Sequence, residues 1–100
     1  MLYAITGYDV PNSLELRKAA RPAHVARLQE LQDQGRLILA GPFPTVDASV
    51  AGTDGFTGSL IVAEFTNWDD AQAWANADPF VSAGVYQNVI VKPFRKTLPL

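Results

Sequence analysis

Cysteine is missing from the 100-residue chain, and histidine occurs once, as His24. The first absence excludes disulfides and thiolate chemistry, and the two together stop a single chain from assembling the usual zinc sites of Cys and His. Excess charge is scarce as well: ten acidic against eight basic residues leave a net charge of −2, and Lys92, Arg95 and Lys96 lie close together near the end. No nucleic-acid partner is expected from so little basic character. No apolar run approaches the roughly 20 residues of a membrane span. The opening Leu2-Tyr3-Ala4-Ile5 has neither a basic leader nor a sustained apolar stretch, so no signal peptide is expected either. A soluble, cytoplasmic protein without membrane partners is the reading these absences favour.

What is present is apolar: 48% of the residues are hydrophobic and only 18% carry charge. One hundred residues suit a single domain over 1–100, and the apolar surplus leaves surface for a second subunit. Leu2 to Tyr8 reads as a first strand, closed by the turn residues Pro11-Asn12. Asn12 with Glu15 three residues on resembles a capping box, opening a helical segment that runs to Gln34 before Gly35 at C′. Pro22 interrupts that segment; since proline fits best at a first helical position, a kink or restart is expected there, with Arg21 near the cap and His24 in the new first turn. Leu28 and Leu31 follow His24 on one helical face.

Arg36 to Phe43 reads as a second strand and Thr45 to Thr57 as a long loop. Gly58 to Phe65 is a third strand without clean polar alternation, which suggests cover on both faces and hence a homodimer. Asn67 caps a second helix, with Asp70 at its third position and Trp68, Ala71, Trp74 and Ala75 on one stripe, until Asp78-Pro79 stops it. Phe80 to Val85 makes a short turn, and Tyr86 to Phe94 a fourth strand with Val89 and Val91 on one side. The order β-α-β-β-α-β is that of a ferredoxin-like α+β fold with an antiparallel sheet.

His24 is the candidate centre for proton chemistry, because imidazole alone among the side chains here titrates near neutrality when unperturbed. A helix N-terminus favours its neutral form and a carboxylate such as Asp78 its protonated form, so the two would oppose each other. Asp78 has another reason to be where it is, since Asp before Pro closes helices and turns through local bonds. The topology permits the two to meet if the chain folds back at the second corner. Ser59 can offer a hydroxyl to a ligand. Arg21 can clamp an anion beside His24, although an arginine at a helix start is ordinarily solvated. The glycines at 52, 55 and 58 lack the Lys-Ser/Thr of a phosphate loop.

Taken together, Arg21-Pro22-Ala23-His24 with Leu28, Ala40-Gly41-Pro42, Gly55-Phe56-Thr57-Gly58-Ser59, Ala77-Asp78-Pro79-Phe80, Gly84-Val85-Tyr86 and Val91-Lys92-Pro93-Phe94 resemble the YciI-like family of small bacterial proteins. The resemblance spans nearly the whole chain. It implies a dimeric α/β barrel of ferredoxin-like subunits and an active site at His24 and Asp78, while Ser59 matches only loosely. It also implies chemistry of the lyase or isomerase kind, since a related protein resembles a dehydrochlorinase of a chlorinated hydroxyquinol. The expectation is therefore a small-molecule enzyme, acting without cofactor or metal on a cyclic or aromatic-derived compound. Tyr8, Phe43 and Tyr86 would be aromatic lining, and Ser59, Arg21, Tyr8 and Tyr86 would bind substrate. The rival expectation is a ligand-binding or structural dimer that assists a partner enzyme and needs no poised histidine.

Overall fold

The computed structural model describes residues 1–47 and 55–100. Four strands, β1 (Leu2–Asp9), β2 (Leu37–Pro44), β3 (Phe56–Glu64) and β4 (Tyr86–Phe94), alternate with α1 (Leu14–Asp33), α2 (Trp68–Asn76) and the short α3 (Pro79–Ser82). They form one antiparallel sheet in the order β2-β3-β1-β4, the ferredoxin-like arrangement. The central part of the expected Thr45–Thr57 loop, with Gly52, lies outside the described residues. No helix among the described residues is long and apolar enough to cross a membrane.

Register assigns the two faces of the sheet. Tyr3, Ile5, Ile61, Ala63 and Val91 face the helices and pack with Leu31, Phe65, Ala71 and Ala75 into the main core. The alternate positions Ala4, Val62 and Leu39 line up across the other face, as do Ile90, Thr6 and Leu60, and α1, α2 and α3 all pack on the opposite side. Leu39, Phe43, Ile90 and Phe94 are consequently exposed there.

Local chemistry explains most helix ends. Gly35 has φ +71°, and the bonds from Arg36 N to Leu31 O and from Gly35 N to Gln32 O make a Schellman ending for α1. Asn67 caps α2 by accepting from Asp70 N at 2.8 Å. The start of α1 differs from expectation. Asn12 has φ +58° and makes the turn, Ser13 is the cap residue, and the Ser13 hydroxyl donates to the Asp9 carboxylate instead of capping. No capping box forms.

Pro22 likewise does not restart the helix: α1 is continuous over 20 residues with the proline inside it. Proline in a helix interior costs about 3 kcal/mol, and tertiary anchors on both sides of it offset that loss. Arg17 is fixed to β1 and β3, and His24 to the corner before α3. His24 is therefore a mid-helix residue rather than one in a first turn, which removes the field of its own helix N-terminus from the argument. Arg21 is mid-helix too.

Candidate functional site

Between α1 and the β2–β3 side of the sheet lies a cleft of about 590 Å³. Leu14, Val25, Leu28, Ile61, Phe56 and Phe80 give it apolar walls, and Ala40, Gly41 and Pro42 of β2 form one side. Its polar groups are Arg17, Lys18, Arg21 and His24 from α1 and Ser59 from β3. Among the described residues, no cluster of three His, Cys, Asp or Glu side chains suited to a metal is present.

His24 is almost fully buried, and its Nδ1 lies 2.8 and 2.9 Å from the two Asp78 oxygens. A carboxylate can only accept, so Nδ1 carries the proton and the neutral ring keeps its lone pair on Nε2. Nε2 makes no hydrogen bond among the described residues, and the His24 side chain borders the cleft. The imidazole lies flat on the Phe80 ring, 3.9 Å between centroids and 7° from parallel, which restricts its tilt. Asp78, only 3% exposed, is oriented in turn because its Oδ1 accepts from Phe80 N at 2.8 Å as the cap of α3, with Pro79 at the first helical position. The helix-closing and imidazole-orienting roles of Asp78 coincide in one carboxylate.

A second buried network stands beside the first, and the sequence reading missed it. Asp9 accepts from Arg17 Nε at 2.6 Å, from Arg17 Nη2 at 3.0 Å and from the Ser13 hydroxyl at 2.6 Å. Arg17 Nη2 also donates to Gly58 O and, at 2.8 Å, to the Ser59 hydroxyl. The guanidinium lies 5.0 Å from the ring centroids of both Phe56 and Phe80. A signal existed: Arg17, His24 and Leu31 are seven residues apart and are the buried residues of α1. Treating Pro22 as a break cut that stripe in two.

The remaining candidates divide. Ser59 and Arg21 line the cleft, Ser59 buried and Arg21 exposed. Tyr8 does not: it pairs with Gly58 and points away from the helices, 43% exposed, because strand alternation puts it out of phase with Tyr3 and Ile5. Phe43 sits across Gly58 on the same outer face. Neither lines the cleft. Tyr86 stands behind Phe80, edge-on at 5.5 Å and 90°, with its ring over Gly7, where a Cβ would meet it at 2.5 Å. It is not a lining residue either. Burial pushes the Tyr86 phenol up to about 12; the Ser59 hydroxyl partly offsets the rise and the Asp78 charge adds to it. Ser59 does this without completing a hydrogen bond of good geometry, since Tyr86 Oη is buried without a partner among the described residues.

The YCII-related domain model matches residues 1–95. The chain is 58% identical over 96 residues to the protein YciI of Escherichia coli, covering 96% of this chain and 98% of that one. It is 51% identical, with the same coverage, to an uncharacterised protein of Haemophilus influenzae. Among solved structures it is similar to the 5-chloro-2-hydroxyhydroquinone dehydrochlorinase of Burkholderia phenoliruptrix in complex with 2,5-dihydroxybenzoquinone. There the TM-score is 0.84 at 30% identity, over 95% of this chain and 94% of the other.

Proposed function

The chain belongs to the YCII-related domain family, and from that premise we propose that it is a small-molecule enzyme of the lyase or isomerase kind, in which His24 moves a proton and Asp78 orients the imidazole. The observation that carries this reading is the Nδ1 bond to a buried carboxylate, which leaves Nε2 as the basic atom beside an apolar cleft. Support for the compound class comes from the similar dehydrochlorinase, whose chlorinated hydroquinone substrate and bound quinone are both oxygenated six-membered rings. In the elimination direction Nε2 takes a proton from a ring O–H or C–H. From a C–H the freed pair forms C=C as the leaving group departs with its bond pair; from a ring O–H it forms C=O while the ring double bond shifts onto a leaving-group carbon already made tetrahedral by protonation, and the leaving group departs with its own pair. In the isomerase direction the same proton returns to another carbon. Either course is redox-neutral and needs only this acid–base pair. Ser59, held by Arg17, would bind a substrate oxygen at the cleft floor.

The test measures chloride release from 5-chloro-2-hydroxyhydroquinone together with the ring ¹⁵N shifts of His24. Wild type turns the compound over with the neutral ring protonated on Nδ1, and His24→Gln and Asp78→Asn each slow release by about a hundredfold or more. Release untouched by either variant, or a neutral ring protonated on Nε2, defeats the reading. Binding that disappears in His24→Ala, with no product formed by wild type, favours a ligand-binding dimer that assists a partner enzyme.

We also infer a cytoplasmic homodimer joined through the uncovered sheet face, where Leu39, Phe43, Ile90 and Phe94 stand exposed. Sedimentation of wild type as a dimer and of Leu39→Lys as a monomer is the expected result. A monomeric wild type at micromolar concentration defeats it.

A further inference from the structure

The ionisable groups around the cleft are all nitrogen bases. Arg17, Lys18, Arg21 and His24 line it, and among the described residues no Asp or Glu does, in a chain whose net charge is −2. All four project from one stretch of α1. They are not equally available. The Arg17 charge is matched by Asp9 in a two-point contact, so it serves the fold. His24 donates its Nδ1–H to Asp78 and, as the neutral ring, brings no positive charge of its own to the cleft. Lys18 shares its charge with Glu15 across 3.4 Å on an exposed surface, an arrangement that competes weakly with a ligand. Arg21 lines the cleft and makes no ion pair among the described residues.

We propose that the cleft selects an anionic ring compound, one carrying a carboxylate or an ionised ring hydroxyl, and that Arg21, seconded by Lys18, is the residue that recognises the negative group. The proposal names the substrate class for the enzyme reading above and rests on the same cleft, but it does not require His24 to transfer a proton. Geometry supports it. Arg21 precedes His24 by three residues, so their side chains are neighbours on one helix face, about 5–6 Å apart at Cβ. An anionic substituent held by the Arg21 fork thus leaves the ring itself beside Nε2, with Phe80, Phe56 and Ile61 as its apolar contacts. A guanidinium at the cleft margin can make two parallel charge-assisted bonds to a carboxylate, which an ammonium cannot.

The experiment compares 2,5-dihydroxybenzoate with its neutral amide, two rings of the same shape, by calorimetry on the intact protein at low salt. Wild type binds the acid about tenfold tighter than the amide, and Arg21→Gln abolishes that preference by weakening the acid alone. Arg21→Lys restores part of it, Lys18→Gln reduces it by less than Arg21→Gln does, and added salt erodes it. The preference persists in His24→Gln, which separates this proposal from the proton-transfer reading. Equal affinity for acid and amide in wild type, no binding of either at millimolar concentration, or equal losses of both ligands in Arg21→Gln overturns it.

Discussion

Helix α1 meets the sheet in two different ways along a single stripe. At Leu31 it joins a cluster with Ile5, Ile61, Phe65, Ala71 and the ring of Tyr3, a packing of shapes that buries no charged group. At His24 and Arg17, about two and four turns earlier on the same stripe, it buries an imidazole and a guanidinium, each on its own carboxylate. The apolar end tolerates small misfits because dispersion and water exclusion are non-directional. The polar end has to be matched atom by atom, and Asp9 alone takes three donor bonds. Burial is therefore put to different uses at the two ends. One holds the helix on the sheet, and the other fixes the direction of side chains that face the cleft.

The largest expected effect comes from breaking the polar end on one side only. Arg17→Met strands the Asp9 charge and lowers stability by about 3–5 kcal/mol, whereas adding Asp9→Asn returns much of that loss. Leu31→Ala at the apolar end costs about 3 kcal/mol as a cavity and leaves ligand affinity in the cleft unchanged. Urea denaturation and calorimetry of these three proteins check the contrast. Equal losses in the single and double variants would show that charge is not what separates the ends, and weakened ligand binding in Leu31→Ala would show that the ends are coupled.

A smaller effect sharpens the same contrast through pH. The folded protein holds the Tyr86 proton up to about 12, against 10.0 for the unperturbed phenol. Its contribution to stability is therefore complete below pH 10 and falls away between pH 10 and about 12, by at most about 3 kcal/mol. Tyr86→Phe removes that alkaline loss. Near neutrality it shifts stability by less than about 1 kcal/mol, because the hydroxyl has no partner to lose. Urea midpoints at about pH 9 and about pH 11 decide: a parallel fall in Tyr86→Phe would assign the alkaline loss to other groups.

Signals confined to a few neighbouring residues were legible in the sequence. Asn67 with Asp70, Gly35 at the end of α1, and the limits of β4 were all read from local chemistry, and the strand and helix order led to the ferredoxin-like arrangement. Errors arose where tertiary contacts override a local rule. Pro22 is tolerated because Arg17 and His24 anchor α1 on either side of it. Ser13 gives its hydroxyl to Asp9 rather than to the helix end, which no spacing within α1 reveals. Aromatic character suggests Tyr8 for the cleft, whereas the two-residue period of β1, set by Tyr3 and Ile5, sends it to the outer face. The approach of Asp78 to His24 depends on a fold-back at Pro79, so the sequence allowed it without requiring it.

Asp78 begins a helix and steers an imidazole with one side chain. Architecture alone would keep that acid in a descendant that had lost the histidine. The reverse does not hold, because a lineage that drifts at the acid loosens its corner and disorients its ring in a single step. Divergence within such a lineage should therefore be lopsided, with aspartate surviving without histidine far more often than histidine without aspartate.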